Sequence, residues 1–138
     1  MKSLATLIKL QKTFVDEQRQ QLARLLDHLE KIDGKITQLE IMKAREQAAV
    51  QDDAARITYG AFLKQMVIKG RELEKERQTA EMAVKLAQDK LAELFEEQKR
   101  YETAEANRIE AEAKAERRLE TLELDEIGGT RHQRQKSE

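Results

Sequence analysis

Aliphatic residues recur with a spacing of seven along the first third of the chain, from Leu4 to Val50. In heptad notation they form two columns: Ile8, Val15, Leu22, Leu29 and Ile36 at a, and Leu4, Leu25, Ile32 and Leu39 at d. Both columns lie on one narrow stripe of an α-helix, which must pack against a partner. Polar residues interrupt the stripe only towards its ends: Gln11, Gln18, Lys43 and Glu46. The central block from Leu22 to Leu39 is therefore predicted to hold the helix to its partner.

A turn could interrupt this helix at Asp33-Gly34, since Asp-Gly is a strong turn dipeptide. The heptad phase argues against it, because the a and d positions continue unbroken across Gly34. The phase is lost only from Gln51 to Gly60. We therefore predict a first helix over about 4–50 capped by Ser3, and a turn over about 51–58, with Asp52, Asp53 and Thr58 as candidate caps of the next helix.

A second ladder follows and predicts a helix over about 59–126. Its members are Leu63, Gly70, Arg77, Val84 and Leu91 at a, and Met66, Leu73, Ala80, Ala87, Leu94 and Tyr101 at d. Two helices joined by a short turn fold back antiparallel, which would set Leu39 opposite Gly70 to Leu73. The predicted fold is all-α, a coiled-coil hairpin over 1–127, expected to be monomeric. Periodicity alone also permits a parallel dimer.

The second predicted helix is the longer one, so its end has no internal partner. This overhang begins at Ala104 and carries only sparse apolar anchors: Ile109, Leu119 and Leu122. Gly128-Gly129 is predicted to end the helix, as glycines past a C-terminus do. Residues 128–138 are expected to form a basic, disordered tail.

Composition fits long helices better than a compact globule. The 138 residues include 38% charged and 4% aromatic side chains, with no Pro and no Cys. Without Cys there is no disulfide framework and no thiolate metal site. No long apolar run is present, so a soluble, cytoplasmic protein without direct membrane insertion is expected.

The chain shows no pattern of residues for catalysis or cofactor binding. It lacks a phosphate-binding glycine loop and a His-Glu-x-x-His motif, and its only histidines are His28 and His132. No catalytic, cofactor-binding or metal site is predicted. The net charge of -1 does not favour nucleic acid as a partner. Three cations in the tail, Arg131, Arg134 and Lys136, are interpreted as solubilising.

A stripe just beyond the predicted turn has two interpretations. It consists of Tyr59, Phe62, Met66, Lys69 and Leu73. The aromatic rings could simply plug the end of the hairpin. They could also form a docking patch with Leu39, Ile41 and Met42 of the first helix, because aromatic and Met side chains are enriched in interfaces.

Three stretches of the chain resemble the flagellar export protein FliJ family. Ser3-Leu4-Ala5-Thr6-Leu7 opens directly into a heptad helix. The run from Tyr59 to Met66 matches a Tyr-x-x-Phe-hydrophobic stretch, and Leu124-Asp125-Glu126-Ile127 matches the family's ending.

The resemblance implies an antiparallel coiled coil similar to the stalk of the rotary ATP synthase gamma subunit. It implies a non-enzymatic role at the flagellar base, peripheral to the inner membrane, with three partners: the hexameric export ATPase, the cytoplasmic domain of the export gate, and export chaperones. The overhang would face the ATPase. The gate contact of the family falls on Phe62, Met66, Lys69, Leu73, Leu39 and Met42, although Lys69 stands where a small residue is expected.

Two other classes of function stay open at this point. A generic coiled-coil scaffold, or the equivalent stalk of a type III injectisome, would share the same periodicity. A nucleic-acid or membrane-surface binder would act through the basic tail, with steeply salt-dependent binding.

Overall fold

The chain forms two long helices joined by a short connection. The computed structural model describes residues 3–137, and their side chains as far as residue 134. Helix α1 is Leu4–Ala48 and helix α2 is Asp53–Ser137, of 45 and 85 residues. Over residues 3–137 there is no strand. The predicted all-α hairpin with a longer second helix is confirmed.

Each helix begins at a capping side chain. Ser3 Oγ accepts the Thr6 backbone N–H at 3.2 Å, as predicted. Asp52 Oδ1 accepts the Ala55 backbone N–H at 2.7 Å, so Asp52 is the cap among the three candidates. These bonds satisfy N–H groups that have no partner in the first turn of a helix.

The connection is shorter and earlier than predicted. Helix α1 ends at Ala48, and α2 begins at Asp53 rather than near residue 59. Tyr59 and Gly60 therefore lie inside α2. From Asp53 to Gly60 the apolar stripe is absent but the chain is helical, because the first turns of α2 need only a cap and good helix formers such as Ala54 and Ala55.

Helix α2 does not end at Gly128-Gly129, as the sequence had indicated, but continues to Ser137. Neither glycine has the positive φ of a helix-ending cap. Each costs an exposed helix about 1 kcal/mol relative to Ala, without blocking it sterically as proline would. The Thr130 hydroxyl donates to the Glu126 carbonyl at 2.9 Å, within the same helix. The predicted disordered tail is thus helical over 128–137, and Glu138 lies outside the described residues.

The described chain divides into two compact units. The larger, Thr13–Phe95, contains the whole apolar core. Its buried side chains are Val15, Ile32, Leu39, Leu73, Ala80, Val84 and Ala87. The other predicted seam residues of this unit are half-buried: Leu22, Leu25, Leu29, Ile36, Leu63, Leu91 and Leu94. All of these lie at the predicted a and d positions.

Contacts between α1 and α2 in this unit set the antiparallel register. A Cβ added at Gly70 would lie 3.4 Å from Leu39 Cδ2, so glycine allows the close approach expected there. Gln18 Nε2 donates to the Ala87 carbonyl at 3.1 Å. These intrachain contacts show that the chain folds back on itself, which a parallel dimer would not do.

The smaller unit comprises residues 3–12 and 96–137 of the described chain. Its most buried side chain is polar: Gln11 is 4% exposed and donates to Glu97 Oε2 at 3.3 Å. The Tyr101 hydroxyl donates to the other carboxylate oxygen of Glu97 at 2.8 Å. Ile8 is half-buried nearby in the sequence. A polar network, rather than apolar packing, therefore marks this end of the seam.

Replacing the cap of α2 should destabilise the chain. We expect Asp52→Ala to lower the free energy of unfolding by about 1 kcal/mol, because the Ala55 N–H loses its acceptor. Asp53→Ala is the matched control, since Asp53 makes only a 3.7 Å contact with Arg56. Urea denaturation followed by circular dichroism measures both. Equal effects of the two substitutions would contradict the assignment of Asp52 as the cap.

Gly34→Ala should stabilise the hairpin by up to about 1 kcal/mol, because Gly34 is an interior helical glycine and a Cβ there would meet no atom within 4 Å. Gly70→Ala provides the comparison. Its gain should be smaller, since the new methyl group reaches Leu39. Thermal and denaturant unfolding test both variants. Destabilisation by Gly34→Ala would indicate a turn at Asp33-Gly34.

Candidate functional site

A groove of about 800 Å³ runs along one flank of the seam in the larger unit. Five of the six residues predicted to contact the export gate line it: Leu39, Met42, Met66, Lys69 and Leu73. They come from both helices and are brought together by the antiparallel register. The structure thus brings together most of the predicted gate-contact residues, which are far apart in the sequence.

The floor of the groove is apolar, and its members differ in exposure. Leu39 and Leu73 are only 5% and 6% exposed, so they belong to the core and present little surface. Met42 is 47% exposed, and Met66 is half-buried. The accessible apolar surface of the groove is therefore supplied mainly by the two methionines.

The two walls of the groove carry different charges. The α1 wall has His28, Lys31 and Lys35, whereas the α2 wall has Glu72 and Glu76 beside Lys69. Lys31 pairs with Asp27 on its own helix, at 3.1 Å. Within residues 3–134, no ion pair forms across the groove. The groove is open between a basic wall and a largely acidic one.

The opposite flank of the seam is closed by charge. Arg77 Nε donates to Asp33 Oδ1 at 2.9 Å across the two helices. Arg77 also pairs with Glu81 at 3.0 Å and Glu74 at 3.3 Å on α2. These carboxylates, led by Glu81, raise the pKa of the Arg77 guanidinium. Although Arg77 occupies an a position, its side chain extends out of the seam on this flank and bridges the two helices.

Phe62 lies outside the groove. Its ring packs against Tyr59 at a centroid distance of 6.4 Å and a tilt of 32°, one turn apart on α2. Both rings are half-buried. Ile57 and Ile68 are more exposed and lie on the same part of α2. The aromatic pair and the groove are separate features of the same hairpin end.

The overhang has no packing partner within the described chain. From residue 106 to residue 134 every side chain is exposed except Ala113, which is half-buried. Ile109, Leu119 and Leu122 are all more than half exposed. Arg108 pairs with Glu105 and Glu112 at 2.6 and 2.7 Å. The Arg108 hydrogen bond lowers the pKa of Glu105, and such pairs support a solvated helix.

The comparison with known families decides what this arrangement belongs to. The family described as "Flagellar FliJ protein" matches residues 1–137. The chain belongs to the FliJ family. No curated protein and no solved structure matches significantly. FliJ proteins are a non-catalytic flagellar family, so the chain is a flagellar coiled-coil protein related to export.

The described residues of this FliJ chain contain neither a candidate membrane span nor a candidate metal cluster. Neither described helix combines the length and hydropathy needed to span a membrane. Among the described residues there is no cluster of three or more His, Cys, Asp or Glu that could hold a metal ion. Arg131 and Arg134 are exposed on α2, and the side chain of Lys136 lies outside the described residues.

The charged walls of the groove were missed by sequence reasoning. Lys31, Lys35, Gln38, Glu72 and Glu76 read as ordinary solvated residues of a coiled coil. The signal was their heptad position, because each occupies c or g on the same side of the seam. In an antiparallel hairpin, residues at those positions on the two helices face one groove.

The phenol of Tyr101 should make the free energy of unfolding decrease at alkaline pH. Its hydrogen bond to Glu97 raises the pKa of Tyr101 above its ordinary value of 10.0. The folded chain therefore holds this proton more tightly than the unfolded chain. The resulting stability is fully present below about pH 10 and is lost as pH rises through the folded pKa.

We expect the free energy of unfolding to fall more steeply above about pH 10 in a Tyr59→Phe background than in the Tyr59→Phe, Tyr101→Phe double variant. Ultraviolet titration of the single remaining phenol should also show the raised pKa. Glu97→Ala, which removes the acceptor, should bring it back towards the ordinary value. An unchanged titration in Glu97→Ala would contradict the assigned cause.

Proposed function

We propose that this FliJ chain is a non-enzymatic coiled-coil stalk of the flagellar type III export apparatus. It binds the export ATPase and promotes assembly of its hexameric ring, contacts the cytoplasmic domain of the export gate, and binds export chaperones. It acts as a monomeric hairpin in the cytoplasm, at the periphery of the inner membrane. The observation that carries the proposal is the unpartnered stretch of α2 in a chain that matches the family over residues 1–137.

The ATPase contact is assigned to the overhang. A helix that exposes Ile109, Leu119 and Leu122 leaves apolar surface in water, which a partner would cover. Good helix formers such as Ala, Glu, Lys and Arg keep the same stretch helical without a partner, and Arg108 adds i,i+3 and i,i+4 ion pairs with Glu105 and Glu112. A preformed helix of this kind loses little conformational entropy when it enters a ring.

The gate contact is assigned to the groove and to the adjoining aromatic pair. Met42 and Met66 supply accessible, adaptable apolar surface, and methionine is common in surfaces that accommodate partners. Lys69 lies on the rim, and the Phe62 ring is half-buried beside Tyr59. Leu39 and Leu73 support this contact from below as part of the core.

The test of the ATPase contact is the hydrolysis rate and oligomeric state of the cognate export ATPase, titrated with the full chain. We expect stimulation and ring assembly. Leu119→Glu with Leu122→Glu should abolish both, because charge replaces the proposed contact surface. A truncation lacking residues 104–138 should behave in the same way.

Met82→Glu is the control, since Met82 is 67% exposed on α2 of the larger unit. It should leave stimulation intact. Absence of stimulation by the full chain, with its helical fold verified by circular dichroism, would contradict the stalk function. A generic scaffold, or the stalk of an injectisome, would then explain the coiled coil better.

The gate contact has its own prediction. Phe62→Ala with Met66→Ala should weaken binding to the cytoplasmic domain of the gate at least tenfold, with little change in helicity and melting temperature. Met82→Ala with Leu86→Ala is the matched control, because both side chains are 67% exposed on the same helix. Binding of the chain to immobilised gate domain measures the affinity, and circular dichroism measures helicity and melting temperature. A large loss of stability with unchanged affinity would show that the pair only closes the hairpin end.

A further inference from the structure

The groove differs from the opposite flank of the same seam in a way that points to a ligand. On the opposite flank the Arg77–Asp33 pair bridges the helices at 2.9 Å. On the groove side, Lys35, Lys69, Glu72 and Glu76 line the walls, and none of them forms an ion pair with another described residue. Four rim charges without an ion pair thus line the flank that no salt bridge between the helices closes.

The floor between these charges favours a helix as the occupant. Every backbone N–H along α1 and α2 beside the groove lies within a continuous helix, so the floor offers side chains and no backbone donors. An extended peptide would find no backbone partners there, whereas a helix satisfies its own. A third helix would lay its apolar face on Met42, Met66 and the buried leucines beneath them.

The size of the groove agrees with a short helical segment. On α1 it extends from His28 to Met42, which is about 21 Å of helix at 1.5 Å per residue. An occupant of about four turns fills that length. Its apolar residues would recur at i, i+3 or i+4, and i+7, as in other helices that bind grooves.

The charges of the walls define the flanks of this helix. His28, Lys31 and Lys35 stand on the α1 wall, so the flank facing α1 should carry Asp or Glu. The α2 wall, with Glu72, Glu76 and Lys69, gives no net attraction to acidic residues. Complementary charges at a rim select the partner and its orientation more than they add affinity.

We propose that the groove receives an amphipathic α-helix of about four turns whose flank towards α1 is acidic. The proposal extends the gate contact above and rests on it for the source of this helix, which is the cytoplasmic part of the gate. Bound in this way, the helix completes a three-helix arrangement around Met42 and Met66. Lys35 pairs with its acidic flank, and Lys31 exchanges its exposed Asp27 partner for the same flank.

The experiment measures the binding of labelled, stapled helical peptides to the full chain by fluorescence anisotropy. Three peptides share one length: one with an apolar face and a Glu flank, one with the same face and a Lys flank, and one with the Glu flank and Gln in place of the apolar face. We expect the first to bind at least tenfold more tightly than either of the others.

Variants of the chain assign that binding to the groove. Lys31→Glu with Lys35→Glu should abolish or invert the preference for the acidic peptide, whereas Lys75→Glu with Lys85→Glu, at exposed positions outside the groove, should not. Met42→Gln should weaken binding at least tenfold, and Met82→Gln should leave it unchanged. Circular dichroism checks that each variant keeps its helicity.

Equal binding of the acidic and basic peptides, or no binding of any peptide, would overturn the proposal. So would a dimer of the chain, seen by analytical ultracentrifugation, that Met42→Gln dissociates, because a second copy would then occupy the groove. The gate is absent from these measurements. If the chain binds the acidic peptide selectively but does not bind the gate, the gate contact is contradicted and the helix-binding groove stands. If the chain binds the gate but no peptide, only the proposed helical occupant is contradicted.

Discussion

Apolar contact along the heptad seam of the larger unit is the constraint on which the other features depend. Each helix carries an apolar stripe too narrow to be stable in water alone, and the two stripes bury each other. Small residues occupy several seam positions of α2: Gly70 leaves room for Leu39, and Ala80 and Ala87 are buried. The close approach that results fixes the register, and the register decides which side chains meet on each flank.

Polar side chains in the seam specify the arrangement more than they strengthen it. Gln18 donates to the Ala87 carbonyl, and Gln11 donates to Glu97, so both glutamines at d positions keep a partner when packed. Arg77 at an a position turns outward to Asp33. A shift of one heptad would deprive each of these groups of its partner. Because Arg77 closes one flank, the open groove lies on the other, and the hairpin has two unlike faces.

The uneven distribution of apolar burial along α2 places the two proposed functions on different parts of this helix. Apolar burial is concentrated between Thr13 and Phe95, where the groove lies. The overhang is helical mainly through the propensity of its Ala, Glu, Lys and Arg residues, with ion pairs around Arg108, and it exposes its leucines. A stalk of this type can therefore present a groove formed by tertiary packing and an overhang formed only by helix propensity. Different partners can bind these two surfaces independently.

The heptad phase by itself determined the two helices, the continuity of α1 through Gly34, and the overhang, because these depend on periodicity and local propensity. It placed the turn too late and ended α2 too early, since losing an apolar stripe, or adding Gly128 and Gly129, does not by itself end a helix. Only the tertiary structure decided which flank is closed by Arg77 and that Lys35, Met42, Met66 and Glu76 line one groove. Those residues are distant in the chain, and antiparallel packing alone brings them together.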